Sequence, residues 1–292
     1  MGALDGRVAI ITGAGRGLGR EHALLFAAEG AKVVVNDLGG DPDGTGADRA
    51  PAQLVVDEIR SRGGEAVANV DNVATWDGAQ RLVQTAVETF GDLHVLVNNA
   101  GILRDRVLVN MTEEEWDAVI TVHLKGHFCP TRFAAAYWRE QSKAGREVRA
   151  SIVHTSSTSG LLGNPGQTNY GAAKSGIATF AQICAMELGR YGVRSNAIAP
   201  AARTRLTEQT PGLAEIVQPP KDEGAFDVWD PANVSPFVAY LATESCPISG
   251  QVFLVQGGVV QRFAPWSLAE KIDKPGRWTV DELAAAASGL GV

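Results

Sequence analysis

The chain is poor in cysteine and methionine and carries no basic surplus. Its three cysteines, Cys129, Cys184 and Cys246, are an odd number set far apart. That argues against a disulfide framework and a thiolate zinc site, and leaves small buried thiols of a reducing compartment. Lys and Arg number 26 against 33 Asp and Glu, a formal charge of −7. A nucleic-acid binder carries a basic surplus or cluster, so no nucleic-acid partner is expected. No apolar run approaches the length of a membrane span. The start, Met1-Gly-Ala-Leu-Asp-Gly-Arg7, lacks the basic head and long apolar stretch of a secretory signal, and Gly2 lacks the Ser or Thr of a myristoylation site. The end, Gly289-Leu-Gly-Val292, is not a Ser-Lys-Leu-type address. A cytoplasmic protein is expected.

What is present is an alternation. Short β-branched runs at 7–12, 32–36, 66–70, 93–98, 151–155, 193–199 and 251–255 read as strands. Helical patterns at 17–30, 53–62, 76–90, from 112 to about 142, 168–191 and 231–243 fall between them. Thr112 with Glu115 three residues on is a capping-box signal, and Gly63-Gly64 and Gly91 are stop signals. Alternating βα units imply an α/β fold, a parallel sheet of about seven strands with helices on both faces. Residues 1–261 read as one domain and 262–292, with Trp266 and Trp278, as a C-terminal extension whose last stretch, 284–292, is loose. The glycine- and proline-rich stretch 38–52 reads as an irregular loop.

Thr12-Gly-Ala-Gly-Arg-Gly-Leu-Gly19 lies between the first strand and the first helix. Glycine there lets the chain turn sharply and lets a pyrophosphate approach the helix N-terminus, where free N–H groups favour an anion. Asp37 follows 18 residues after Gly19, at the end of the second strand, where an acid binds ribose hydroxyls. A carboxylate there repels a 2′-phosphate and favours NAD; Arg16 pulls the other way. Tyr170 and Lys174, four apart, share one helical face. An ammonium beside a phenol favours the phenolate, and a Tyr so tuned exchanges a proton with a carbinol oxygen that a Ser such as Ser157 holds in place.

Thr12–Gly19, Asn98-Asn-Ala-Gly101, Ser157 and Tyr170-Gly-Ala-Ala-Lys174, in that order, resemble the short-chain dehydrogenase/reductase family over about residues 5 to 260. The resemblance implies a Rossmann-type doubly wound sheet and hydride transfer between a nicotinamide cofactor and an alcohol/carbonyl pair. It makes Tyr170 the general acid/base, with Lys174 lowering its pKa and bonding the nicotinamide ribose, and Ser157 orienting the substrate oxygen. Gly13, Gly17, Leu18 and Gly19 would cradle the pyrophosphate, with Arg16 in the same loop, and Asp37 would take the ribose. Asp71 and Asn72 would flank the adenine and Val122 cover it. Asn99, Ala100 and Gly101 would floor the site, and Pro200 and Thr204 would lie by the carboxamide.

Three features depart from the family pattern, the glycine-rich loop after Asp37 among them. His123 stands where Asn is frequent, and Ala201 follows Pro200 where Gly is usual. His127, four residues after His123, raises a zinc question, but no Glu follows His123 as in a metalloprotease helix, and no metal site is expected. The runs Asn36–Asp41, Asn99–Arg106, Val122–Leu124 and Gly163–Gln167 resemble one branch, the (3R)-hydroxyacyl-CoA dehydrogenase unit of peroxisomal multifunctional enzymes and related stand-alone bacterial proteins. That implies an acyl-CoA thioester, oxidised by NAD, with steroid or other lipid alcohols and acyl-carrier-protein thioesters as rivals. Arg104, Arg106, Arg203 and Arg205 are candidates for its phosphates, or ordinary surface and ion-paired arginines; 203–227 falls where a lid would sit. A reading from another class is an NAD-binding regulator without turnover; His123 favours it, and the retained Ser157, Tyr170 and Lys174 oppose it. The two long helices, 112–142 and 168–191, are apolar enough to meet a second copy, and a homodimer or homotetramer is expected.

Overall fold

Val8–Thr12 (β1) is apolar until its last residue, and all five residues are buried. A strand buried on both faces needs a layer on each side, and the chain supplies them by alternation. The computed structural model describes residues 2–41, 43–46, 50–208, 214–222 and 224–291. After β1 come α1 (Gly17–Ala28), β2 (Lys32–Asn36), α2 (Ala50–Ser61), β3 (Glu65–Asn69), α3 (Trp76–Phe90) and β4 (Val95–Asn98). Then come α4 (Glu113–Ile120), a π turn (Thr121–Lys125), α5 (Gly126–Lys143), β5 (Ala150–Thr155), α6 (Thr158–Leu162), α7 (Thr168–Leu188) and β6 (Val193–Pro200). The series closes with α8 (Arg205–Glu208), α9 (Ser235–Ala242), β7 (Val252–Gln256) and β8 (Val259–Arg262).

The sheet order is β3-β2-β1-β4-β5-β6-β7-β8. The first seven strands are parallel and β8 runs antiparallel to β7. The chain works outward from β1 to β3, then crosses back to place β4 on the other side of β1. That reversal opens a crevice at the carboxyl ends of β1 and β4, where doubly wound sheets bind ligands. Successive residues of β1 feed opposite layers. Ile11 packs with Phe26, Val35 and Ile59, and Ile10 with Leu82, Leu96 and Trp138. Each such side chain contributes ~1.5–3 kcal/mol by leaving water.

The structure differs from the sequence reading at several points. An eighth strand, β8, joins the expected seven; its four residues are all exposed, so no apolar run marks it. The helix expected from 112 to 142 is broken by the π turn at 121–125. Helix α6 was not expected, and α2 begins at Ala50, inside the stretch read as loop. The chain divides into two units, Met1–Arg262 and Phe263–Val292, and part of the 284–292 stretch of the second is helical. Its helix α10 (Val280–Ala286) carries a Thr279–Glu282 capping box and runs into a 3-10 turn, Ala287–Leu290. Of the expected lid, 209–213 and 223 lie outside the described residues.

Candidate active site

The crevice at the ends of β1 and β4 is a cleft of about 350 Å³. Its floor is stitched by one hydroxyl. Thr12 Oγ1 accepts from the amides of Asn99, at 2.9 Å, and Ala100, at 3.1 Å. The Asn99 side-chain amide donates back to the Thr12 and Gly13 carbonyls, at 3.0 and 3.2 Å. The glycine turn above is tight. Gly13 and Gly17 have φ of +63° and +52°, a left-handed backbone that favours glycine. A Cβ on Gly19 would stand 2.2 Å from the Gly13 carbonyl oxygen, so α1 could not start so close to β1 with any other residue.

Of the residues the sequence points to, Gly13, Arg16, Gly17, Leu18, Asp37, Asp71, Asn72, Asn99, Ala100, Gly101, Val122, Tyr170, Lys174, Pro200 and Thr204 line this cleft. Gly19 does not; it is a packing residue under the turn. Ser157 is not among the lining residues either, although its neighbours Thr155 and Ser156 are. Asp37 accepts from the amides of Gly15, at 2.8 Å, and Gly39, at 2.7 Å, which fixes the carboxylate at the end of β2. The Asp71 carboxylate is engaged by Arg81 at 2.6 Å. Leu38, Asp41, Ile102 and Thr207 are among the lining residues that the sequence reading missed as site residues. Their signal is adjacency to the motifs, since each lies within a few residues of one.

The candidate catalytic groups come from two elements, α6 and α7. Ser157 caps α6, its Oγ accepting from the Ser159 amide. A Cβ on Gly160 would meet the α7 backbone at 2.5 Å, so this glycine lets α6, with Ser157 at its head, lie against the helix that carries Tyr170. Lys174 is buried; its Nζ donates to the Thr155 carbonyl at 2.6 Å and stands 5.3 Å from the Tyr170 ring centre. Burial pushes the phenol up to about 12, with the Ser157 hydrogen bond opposing, and pushes the Lys174 amine down to about 7. The sequence reading had Lys174 lower the phenol. Here its hydrogen bond goes to the backbone, and desolvation governs both groups.

His123 packs edge-on against Tyr170 at 5.1 Å. Its Nε2 lies 2.7 Å from the Ile102 carbonyl and 3.1 Å from the Ile102 amide, and its Nδ1 has no partner among the described residues. Burial, with the Lys174 charge adding to it, holds the ring well below the ordinary histidine pKa, so it is neutral. His127 stacks on His154, and among the described residues no group of three or more His, Cys, Asp or Glu is placed to hold a metal. Of the four arginines considered for substrate phosphates, Arg104 bonds the Asp43 carbonyl, Arg106 pairs with Glu115 and Arg203 pairs with Asp227. Arg205 lines the cleft, where it feels the charges of Arg16, Asp37 and Asp41.

Comparisons agree with this geometry. The chain is 50% identical over 246 residues to peroxisomal multifunctional enzyme type 2 of Drosophila melanogaster, covering 84% of this chain and 38% of that protein's length. It is 44% identical to hydroxyacyl-CoA dehydrogenase ChsB1 of Mycobacterium tuberculosis, over 97% of this chain and 87% of that one. The crystal structure of a short chain dehydrogenase from Mycobacterium avium superposes with a TM-score of 0.88 at 53% identity, covering 99% of this chain and 95% of that one. The family model described as short chain dehydrogenase matches residues 7–211. The chain therefore belongs to the short-chain dehydrogenase/reductase family and is an oxidoreductase acting on CH–OH.

Proposed function

We propose that this enzyme interconverts a (3R)-3-hydroxyacyl-CoA and its 3-oxoacyl-CoA, with NAD as the cofactor. The observation that carries the reaction type is the meeting of Tyr170, Lys174 and the glycine turn in one cleft. The thioester reading is supported by the relatives named for hydroxyacyl-CoA and multifunctional peroxisomal chemistry. The NAD reading is supported by the Asp37 carboxylate fixed at the end of β2.

The residues present fit a dinucleotide: the left-handed glycines, the crowded Gly19 and the open ends of β1 and β4 form the cradle. Gly13, Arg16, Gly17 and Leu18 would hold its diphosphate, Asp37 a ribose, Asp71, Asn72 and Val122 the adenine, and Asn99, Ala100, Gly101, Pro200 and Thr204 its nicotinamide half. The bound cofactor supplies the hydride acceptor or donor. Ser157 holds the substrate oxygen, Tyr170 exchanges its proton, and Lys174 faces the ring of that Tyr from one helical turn away. A phenol that keeps its proton at neutral pH is poised as the acid for ketone reduction; oxidation needs it deprotonated.

We further read 1–261 as the nucleotide-binding domain and 262–292 as an extension, the protein as a homodimer or homotetramer, and its location as cytoplasmic. Three free, buried thiols and the absence of any described helix long and apolar enough to cross a membrane are consistent with that location. A monomer mass in light scattering overturns the assembly.

The test follows NADH at 340 nm with medium-chain (3R)- and (3S)-hydroxyacyl-CoA, NAD and NADP in parallel. Turnover of the 3R ester with NAD, lost by 10²-fold or more (on the order of an acid/base contribution) in Tyr170→Phe, is expected. Turnover of steroid or simple secondary alcohols without either ester removes the thioester assignment. Tight NAD binding with no turnover across all of them favours a regulator.

A further inference from the structure

His123 is buried in the wall of the cleft, and the proton exchange of Tyr170 does not use it. The π turn carries its imidazole to the end of the cofactor floor. There the ring occupies the place of a missing side chain. A Cβ on Gly101 would stand 2.4 Å from His123 Cε1, 3.2 Å from Nδ1 and 3.3 Å from Nε2. The next floor residue is tied to the same ring. At 2.7 Å from the Ile102 carbonyl, the proton of the neutral imidazole sits on Nε2 and is donated there. The ring also meets the Tyr170 ring, 5.1 Å between centres with the planes at 88°.

The backbone at Tyr170 is fixed separately. The Arg104 carbonyl accepts from Asn169 Nδ2 at 3.0 Å, and Asn169 Oδ1 accepts from the Tyr170 amide at 2.7 Å. Asp105 Oδ2 accepts from Gln167 Nε2 at 2.7 Å, and the Arg106 amide donates to the Gly166 carbonyl at 2.8 Å. These ties hold the start of α7 but not the phenol, which still turns about its side-chain bonds. Apolar packing with Ile102, Val119 and Ala173 restrains that ring without a directional bond. His123 differs from them in being bonded to the floor, filling the space at Gly101 and touching the phenol ring at once.

We propose that His123 is a positioning residue that spaces the Tyr170 ring from the cofactor floor, and that Gly101 must be glycine because the imidazole takes the place of its side chain. The inference deepens the acid/base reading above and rests on it. The floor would carry the nicotinamide and the phenol exchanges the proton, so one bound alcohol has to reach both. An error of about 1 Å in that spacing costs on the order of 10²-fold in rate.

The test measures single-turnover NADH formation and NADH affinity in wild type, His123→Ala, Gly101→Ala and the double variant, with the alcohol that the wild type oxidises fastest. In His123→Ala the rate is expected to fall about ten- to a hundredfold while the Kd for NADH stays within about threefold, the split of a residue that acts on geometry rather than binding. Gly101→Ala drives its methyl into the ring and is expected to slow the reaction too. The double variant is expected to be no slower than His123→Ala, since the methyl then enters space the ring has left. An unchanged rate in His123→Ala, an NADH affinity that falls as far as the rate, or losses that multiply in the double variant each overturn the proposal. A second pair of readouts needs no turnover. Gly101→Ala is expected to destabilise the wild type in urea and not the His123→Ala chain, and equal losses in both overturn the proposal. In the wild type, NMR should show strong cross-relaxation from His123 Hε1 to a Gly101 Hα and between the His123 and Tyr170 rings; its absence overturns the proposal even where a variant does not fold. Undiminished turnover in Tyr170→Phe is a different result; it removes the acid/base reading itself.

Discussion

The Asp37 carboxylate accepts one hydrogen bond on each oxygen, both from glycine amides of the loops beside it. A charge held this way has a fixed place and keeps spare lone pairs for a ribose diol. Replacing it with Ala removes a charged acceptor, a loss of about 1.5–3 kcal/mol, so the KM for NAD should rise ten- to a hundredfold. Over the same change the repulsion of a 2′-phosphate disappears, and the ratio of kcat/KM for NAD over NADP should fall. An unchanged ratio in Asp37→Ala rules out the ribose contact. Asp37 was legible in the sequence because it ends the second strand at a set spacing after the glycine turn. The tie between Asp105 and Gln167 was not, because the two residues stand 62 apart along the chain. Ser157 was legible through the family pattern, and its placement depends on a glycine, Gly160, whose need is visible only when α6 and α7 are seen in contact.

At the scale of elements, the signals that worked were local ones. The Thr112 capping box forms as read: Thr112 Oγ1 accepts from the Glu115 amide at 3.2 Å, and Glu115 accepts from the Thr112 amide at 3.0 Å. Thr112→Ala should therefore cost about 1 kcal/mol in urea unfolding, with an unchanged m-value. A loss near zero shows that packing alone holds the start of α4. The π turn left no such signal, because Thr121–Lys125 continues the helical spacing on both sides. Its extra residue shows only in the backbone, and it carries His123 to the Ile102 backbone. The short strand β8 hides for another reason: a Gly257-Gly258 turn is a hairpin signal, but the strand after it buries nothing.

For the molecule as a whole, acid is the expected weak point. His22 and His154 are buried, and desolvation pushes each down to about 3 from 6.5. The unfolded chain takes up those protons below about pH 6.5 while the folded chain refuses them until about pH 3, so stability falls as pH falls through that window. Each such histidine costs about 1.4 kcal/mol per pH unit there, and His123 and His127 act in the same direction. The midpoint of thermal unfolding should decline steeply below pH 6, and less steeply in His22→Asn, whose amide carries no such proton. An equal slope in that variant puts the acid sensitivity elsewhere. The doubly wound parallel sheet was legible at this scale because alternating βα units leave few ways to build a sheet.

Beyond β7 the sheet ends in β8, four residues long and wholly exposed. It adds no core, yet it stands between water and the backbone of β7, whose Val252, Phe253 and Val255 are buried. β8 is the selvedge of the weave. A chain cut after Gln256 would keep every residue that lines the nucleotide cleft and would turn an interior strand into a raw margin, with a row of unpaired amides and carbonyls open to any strand that drifts past. The loss would register first as clumping of intact active sites, before any change in the chemistry they perform.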